Sequence, residues 1–319
     1  MTRLYSWEGL LFATFVIIFA FNAAFTPDFL GLSNQINLFQ LSIEKIILAL
    51  VMTFIIINAE IDLSVGSMMG LSACAFGYLY QIGTPAPAAI AICLTAGVLG
   101  GFLNGWFIAR LGLPSLVVTL ATLIGFRGLA RVMLEDRGIG DFPEWFNALG
   151  QKGLIGPLPF ALLAFALLFA LLYVLLERSG FGRKTYVIGS NRDVADFAGI
   201  DTARHKIVLF TLSGLTSAFA GLLFAARVGA VRGDVGSGFE LDVITIVLLG
   251  GVSIFGGKGT LVGTLLSILI VLNLRNGMGL MNITGHIQTG VIGLLLIASV
   301  VIPRIKFATS RGSKPEATS

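Results

Sequence analysis

The chain has 319 residues, 56% of them hydrophobic and only 12% charged, about half the charged share of a soluble domain. One aqueous core cannot hide that much apolar surface, whereas lipid can solvate it on the outward faces. The net charge of +4 comes from Lys and Arg set between apolar runs, with no basic stripe interleaved with aromatics. It reads as membrane topology and contact with lipid headgroups, not as a nucleic-acid footprint.

The first apolar run, Trp7 to Phe25, follows Arg3. It is longer than the roughly 7–15-residue core of a signal peptide and reads as a retained membrane helix. Nine further spans are expected at 41–59, 65–83, 87–109, 114–134, 158–177, 206–228, 241–255, 259–275 and 286–303, each near the length a bilayer requires. The expected fold class is an all-α integral membrane protein with about ten transmembrane helices. Residues 1–306 form the polytopic domain, and the small polar tail 307–319 reads as disordered and cytoplasmic. Gly31-Leu-Ser-Asn, Gly83-Thr-Pro-Ala-Pro and Gly156-Pro-Leu-Pro mark chain reversals. Glycines at four-residue spacing (Gly97, Gly101 and Gly105; Gly66 and Gly70; Gly259 and Gly263) line single helix faces and predict close helix packing.

Orientation follows from Lys and Arg. The segment 177–206 carries Arg178, Arg183, Lys184, Arg192, Arg204 and Lys206, and the tail carries Arg304, Lys306, Arg311 and Lys314. Both are expected in the cytoplasm. An even number of spans puts the N-terminus there too, and leaves 135–157 outside. Cys74 and Cys93 lie inside apolar runs, and His205 and His286 are the only histidines. We expect structural cysteines, no disulfide, no metal, no cofactor and no catalytic residues.

Three constellations stand out. In Asn58-Ala-Glu60-Ile-Asp62-Leu-Ser64-Val-Gly66-Ser67, two carboxylates sit within a long apolar stretch. Acidic residues at membrane depth cost about 2.5–3.5 kcal/mol on insertion scales, so they face a cavity or a partner. Two readings stand: a broken helix along a solute path, with Glu60, Asp62 and Ser64 lining it, or caps on the following helix. The second constellation is Leu249-Gly-Gly-Val252-Ser253-Ile-Phe-Gly-Gly257-Lys258-Gly259-Thr260. A phosphate loop ending in Gly257-Lys258 would need Gly at Val252 and Ser or Thr at Gly259, so ATP hydrolysis is not expected from this chain. It reads as a flexible helix break, and the two breaks occupy comparable places, as in transporter cores. The third is the polar loop 177–206, where Asn191 caps a short amphipathic run, 193–198, ended by Gly199. Val194, Ala195, Phe197 and Ala198 would dock into a partner groove or rest on lipid.

In order, these segments resemble the permease family of ribose-type monosaccharide ABC importers. The resemblance rests on Ile61-Asp-Leu-Ser-Val-Gly-Ser67, on Asn104 with Gly101 and Gly105, and on Thr119-Leu-Ala-Thr122 followed by Arg127-Gly-Leu-Ala130. Gly182-Arg183, Ile188-Gly189-Ser-Asn191, Ala195 and Gly199-Ile200 match the family's loop, and residues 250–260 match its glycine-rich break. The resemblance implies a multi-pass protein of the bacterial inner membrane, with a homologous or identical second permease subunit around a central path. It also implies a separate ABC ATPase and a periplasmic solute-binding protein, with 182–200 as the element seated on the ATPase. Gly182, Arg183, Gly189, Asn191, Ala195, Gly199 and Ile200 carry that coupling role; Glu60, Asp62, Ser64, Asn104 and Ser253 are the candidates for the path or the breaks. One departure is notable: the family commonly has Gly-Gly before Ile-Asp-Leu-Ser, where this chain has Ala59-Glu60. Leu274-Arg-Asn-Gly-Met278 and His286-Ile-Gln-Thr-Gly290 look most like rhamnose or furanosyl-autoinducer permeases, and rhamnose is the solute favoured. The competing class is an ion-coupled secondary transporter using Glu60 and Asp62. An intramembrane enzyme lacks a nucleophile–base pair.

Overall fold

The computed structural model describes residues 7–135 and 137–297. Fourteen α-helices dominate these residues. They are α1 (Trp7–Phe25), α2 (Leu32–Gln40), α3 (Ile43–Ile57), α4 (Val65–Gln81), α5 (Ala86–Arg110), α6 (Ser115–Leu134) and α7 (Glu144–Gln151). The second half carries α8 (Phe160–Tyr173), α9 (Gly180–Ser190), α10 (Arg192–Phe197), α11 (Thr202–Val228), α12 (Phe239–Leu249), α13 (Leu261–Leu280) and α14 (Gly285–Ile297). Two small antiparallel pairs complete it: β1 (Ile139–Gly140) with β4 (Ala230–Val231), and β2 (Gly153–Ile155) with β3 (Leu158–Pro159).

Every expected span overlaps a helix, though the one at 241–255 outruns α12, which ends at Leu249. Six helices (α1, α5, α6, α8 with its continuation to Arg178, α11 and α13) are long and apolar enough to cross a membrane, and α2 with α3 adds a seventh if the pair, bent by 54°, is one span. α4, α12 and α14 are shorter. Residues 298–303 of the last expected span, Arg3 and the tail lie outside the described residues.

α3 is the axis of the bundle. Fourteen of its fifteen residues are buried, as befits a helix that is apolar on all sides. α8, α11, α12 and α13 surround it. α5 and α11 pack backbone to backbone: a methyl on Gly101 would strike the Phe210 carbonyl, and one on Gly214 would strike Gly97. The glycine spacing read from sequence therefore marks a real contact face. Gly259 is the exception, since it lies before α13 in an extended loop with φ +134°.

Two further expectations change. The stretch 177–206 is not a loop but mostly helix, because Ser179 caps α9 by accepting from the Phe181 and Gly182 amides. The connection after α11 is also longer than a simple reversal. Gly77 of α4 faces Val231, Gly70 faces the Val235 carbonyl, and Gly66 faces Gly236 and Glu240. The chain from 231 to 240 thus runs back along α4 from Gly77 to Gly66, about 16 Å of helix. α12, only 11 residues long, starts inside the bundle and covers about half of a 30 Å hydrocarbon core.

Candidate functional site

At one end of the bundle α9 and α10 fold onto two helix breaks, and this junction is the candidate site. α10 is built by local chemistry. Asn191 Oδ1 accepts from the Val194 amide at 3.1 Å, and Gly199, at φ +77°, ends the helix in the left-handed region. The Ile200 amide closes the turn onto the Ala195 carbonyl at 3.0 Å, a Schellman-like stop that favours glycine. Ala195 faces inward and is fully buried, while Val194 and Phe197 are 57% and 93% exposed. Arg183 is exposed on α9. Of the four residues expected to dock, Val194, Phe197 and Ala198 are exposed, whereas Ala195 is buried against the protein and is not available to a partner.

Gly182 and Gly189 are packing positions. A methyl on Gly182 would strike the Leu176 backbone, and one on Gly189 would strike the Ile57 carbonyl and the Gly257 amide. The Gly257 amide donates to the Ile57 carbonyl at 2.8 Å. Gly256 lies against Ala59 and the Gly189 carbonyl, and Gly257 against Ser190. Three segments (the end of α3, residues 256–257 and the end of α9) meet where only glycine backbone fits. Tyr186 Oη donates to the Gly259 carbonyl at 2.8 Å. Burial, and then the nearby Glu177 carboxylate, push its phenol well up, so it stays a donor.

The first break, 58–64, is tied by side chains. Asp62 is buried and accepts from the Ser64 amide (2.9 Å), Ser64 Oγ (2.6 Å) and Ser213 Oγ of α11 (2.7 Å). Asn104 Nδ2 of α5 donates to Ser64 Oγ at 3.0 Å, while its Oδ1 is buried without a partner among the described residues. Ser115 Oγ of α6 accepts from the Ile61 amide at 3.2 Å. Glu60 forms an ion pair with Lys206 at the start of α11, both nearly buried. Glu60, Asp62, Ser64 and Asn104 are thus brought together, and Lys206, expected as a topology signal, proves to be a structural partner. Ser253 stands apart. Its Oγ accepts from the Phe255 amide at 3.2 Å within the exposed second break.

Charges that sequence reading missed cluster around the half-length α12. Glu240 pairs with Arg127 at 3.4 Å, and Asp242 with Lys45 at 2.5 Å and Arg275 at 3.1 Å. Glu44 of α3 pairs with Arg227 at 2.8 Å. The signal was present: Arg232-Gly-Asp-Val-Gly-Ser-Gly238 is a glycine-rich polar run, the sort of segment that leaves a helix broken.

A family model described as "Branched-chain amino acid transport system / permease component" matches residues 34–300. Among similar proteins, the autoinducer 2 import system permease protein LsrD of Photorhabdus luminescens is 34% identical, covering 93% of this chain and 91% of its own. LsrD of Escherichia coli is 35% identical, with 93% and 92% covered, and the ribose import permease protein RbsC of Bacillus subtilis is 34% identical, with 93% and 92% covered. No solved structure matches significantly.

Proposed function

The chain belongs to the permease-component family of branched-chain amino acid transport systems, and from that premise we propose that it forms the membrane path of a bacterial ABC importer for a sugar-like solute. It is a multi-pass protein of the inner membrane. It has about ten membrane segments, of which six or seven are long and apolar enough to cross by themselves and α12 is only half-length, with α9, α10 and both termini in the cytoplasm, the side that the Lys and Arg of 178–206 favour. ATP hydrolysis belongs to a separate ATPase, delivery to a periplasmic solute-binding protein, and the path to this chain with a second permease subunit, identical or homologous. The names of the relatives, autoinducer 2 and ribose, favour a small polyhydroxylated solute of that kind over rhamnose.

The observation that carries this reading is α10: a six-residue helix, capped at both ends, that presents Phe197 and Val194 outward and packs on α9, whose Gly189 and Ser190 rest on the junction of both helix breaks. Such a helix receives work from a soluble partner. Movement of α10 displaces α9, and Gly189 passes it to Ile57 and Gly257. The break at 58–64 then shifts against α5, α6 and α11, whose contacts with it are polar and directional. ATP binding on the partner biases one of two such packings. Ion coupling through Glu60 and Asp62 is disfavoured, since Lys206 neutralises the first and three donors occupy the second.

The test is co-purification with the partner ATPase and stimulation of its turnover. Gly199→Val forces a β-branched residue into the left-handed region and is expected to abolish stimulation. Gly199→Asn, tolerated there, is expected to retain it. Solute uptake into liposomes driven by an ion gradient, without ATPase or binding protein, would overturn the reading.

A further inference from the structure

A groove of about 500 Å³ opens between the start of α9, the turn after α10 and the first turns of α11. Its polar wall carries Lys184 and Arg204, neither of which forms an ion pair among the described residues, and both are exposed. Arg183 folds over the rim, its guanidinium 3.7 Å from where a methyl on Gly180 would lie. One carboxylate, Asp201, is present, and its Oδ1 is engaged in capping α11 through the Arg204 amide at 2.8 Å. The net charge of the groove is positive. Its inner wall is formed by Phe181, by the His205 ring, tilted 33° to it with centroids 4.3 Å apart, and by Val208. His205 Nε2 is held by Thr185 Oγ1 at 2.9 Å, which fixes that wall.

The gradient along α11 identifies what the groove suits. From Arg204 the same helix face continues through Val208, which is exposed, to Leu212, Leu215 and Phe219, which are half-buried, changing from cationic to apolar over about four turns. A soluble acidic side chain would need the cations alone. An amphiphile needs the cations and the adjoining apolar column, in that order. We propose that the groove binds the headgroup of an anionic phospholipid, its phosphate between Lys184 and Arg204 and its acyl chains along the α11 column. Placing a lipid beside the turn at Gly199 couples membrane composition to α10. This inference rests on the cytoplasmic placement of α9 and α10 proposed above.

The test uses the full-length chain in detergent, titrated with phosphatidylglycerol or phosphatidylcholine, with retained lipid read by native mass spectrometry. Wild type is expected to retain phosphatidylglycerol preferentially. Lys184→Gln with Arg204→Gln is expected to lower that affinity about thirtyfold, since each cation at such a surface contributes about fivefold. Both positions are exposed, and an unchanged melting temperature will show that the variant is folded. Inorganic phosphate is expected to compete weakly; if it displaced the lipid at equal concentration, the groove would be a free-anion site and the proposal would fall. Equal retention of both lipids by wild type, or an unchanged preference in the variant, would also overturn it. If the variant kept its lipid preference but lost ATPase stimulation, the groove would belong to the soluble partner. Lipid preference lost in the variant while wild type fails to bind any ATPase would sink the importer reading and leave the lipid site standing.

Discussion

The two helix breaks that meet at Gly257 and Ile57 are built on opposite principles. The break at 58–64 is held by side chains. Asp62, Ser64 and Glu60 reach α5 and α11 through hydrogen bonds and an ion pair, in surroundings nearly closed to solvent. The break at 250–260 is held by backbone. Gly251, Gly256, Gly257 and Gly259 all have positive φ, and its large side chains, Ile254 and Phe255, are 48% and 76% exposed. A polar break inside a bundle needs partners for every group, because each unmet polar group there costs free energy. A break at the surface has water for its polar groups and needs only the conformational range of glycine. One break is tied by side chains, although both polar side-chain atoms of Asn58 and the Asn104 Oδ1 are buried without a partner among the described residues; the other is shaped by what is missing, the Cβ. α9 touches the end of α3 and residues 256–257, so a push on α10 reaches both breaks together.

Removing the side-chain ties of the first break should have the largest effect. Glu60→Ala strands Lys206 in a nearly closed site, and the expected loss is about 3–5 kcal/mol. Thermal unfolding in detergent will read it as a markedly lower midpoint. Glu60→Gln combined with Lys206→Met is expected to recover most of the loss. Failure of the double variant to recover would show that the pair positions the break rather than merely neutralising a charge.

In the second break the sensitive feature is the backbone. Gly257→Ala places a side chain at φ +69°, where an L-residue costs about 1–2 kcal/mol, and drives its methyl against Ser190. A second variant, Phe255→Ser, leaves the backbone alone and is expected to stay within about 0.5 kcal/mol of wild type. Equal losses from both would erase the distinction between the breaks.

The smallest effect is expected at the one place where the first break borrows the second's principle. Ala59 has φ +61°, the left-handed region that glycine occupies freely. Ala59→Gly should stabilise the chain by about 1 kcal/mol, seen as a small rise in the unfolding midpoint. No rise would mean that the packing of the Ala59 methyl against Gly256 offsets the strain. The residue that follows, Glu60, brings a charge, and Lys206 meets it; the departure Ala59-Glu60 is thus accommodated partly by strain and partly by an ion pair.

Much of this was legible before any coordinates. Apolar runs gave the six helices long enough to cross a membrane, because a bilayer selects on length and hydropathy alone. Asn191 and Gly199 gave α10, because caps are local chemistry. The glycine rows at 97–105 gave a packing face but not its partner, α11. The descent at 231–240 was hidden for a different reason: Glu240 and Asp242 look like the polar start of a span, and only Arg127, Lys45 and Arg275 arriving from other helices show that they start within the bundle.

By itself the sequence determined the class of the protein, the approximate places of its long apolar helices, the absence of a phosphate-loop spacing and the short capped helix α10, all properties of neighbours along the chain. Only the tertiary structure decided which carboxylate meets which cation, that Ala195 faces in while Phe197 faces out, that Ser253 stands away from Asn104, and that three glycine-lined segments converge at Ile57. Those outcomes depend on contacts between residues up to about two hundred positions apart. Hydropathy and capping carry no information about them, because both are set within a few turns of one helix.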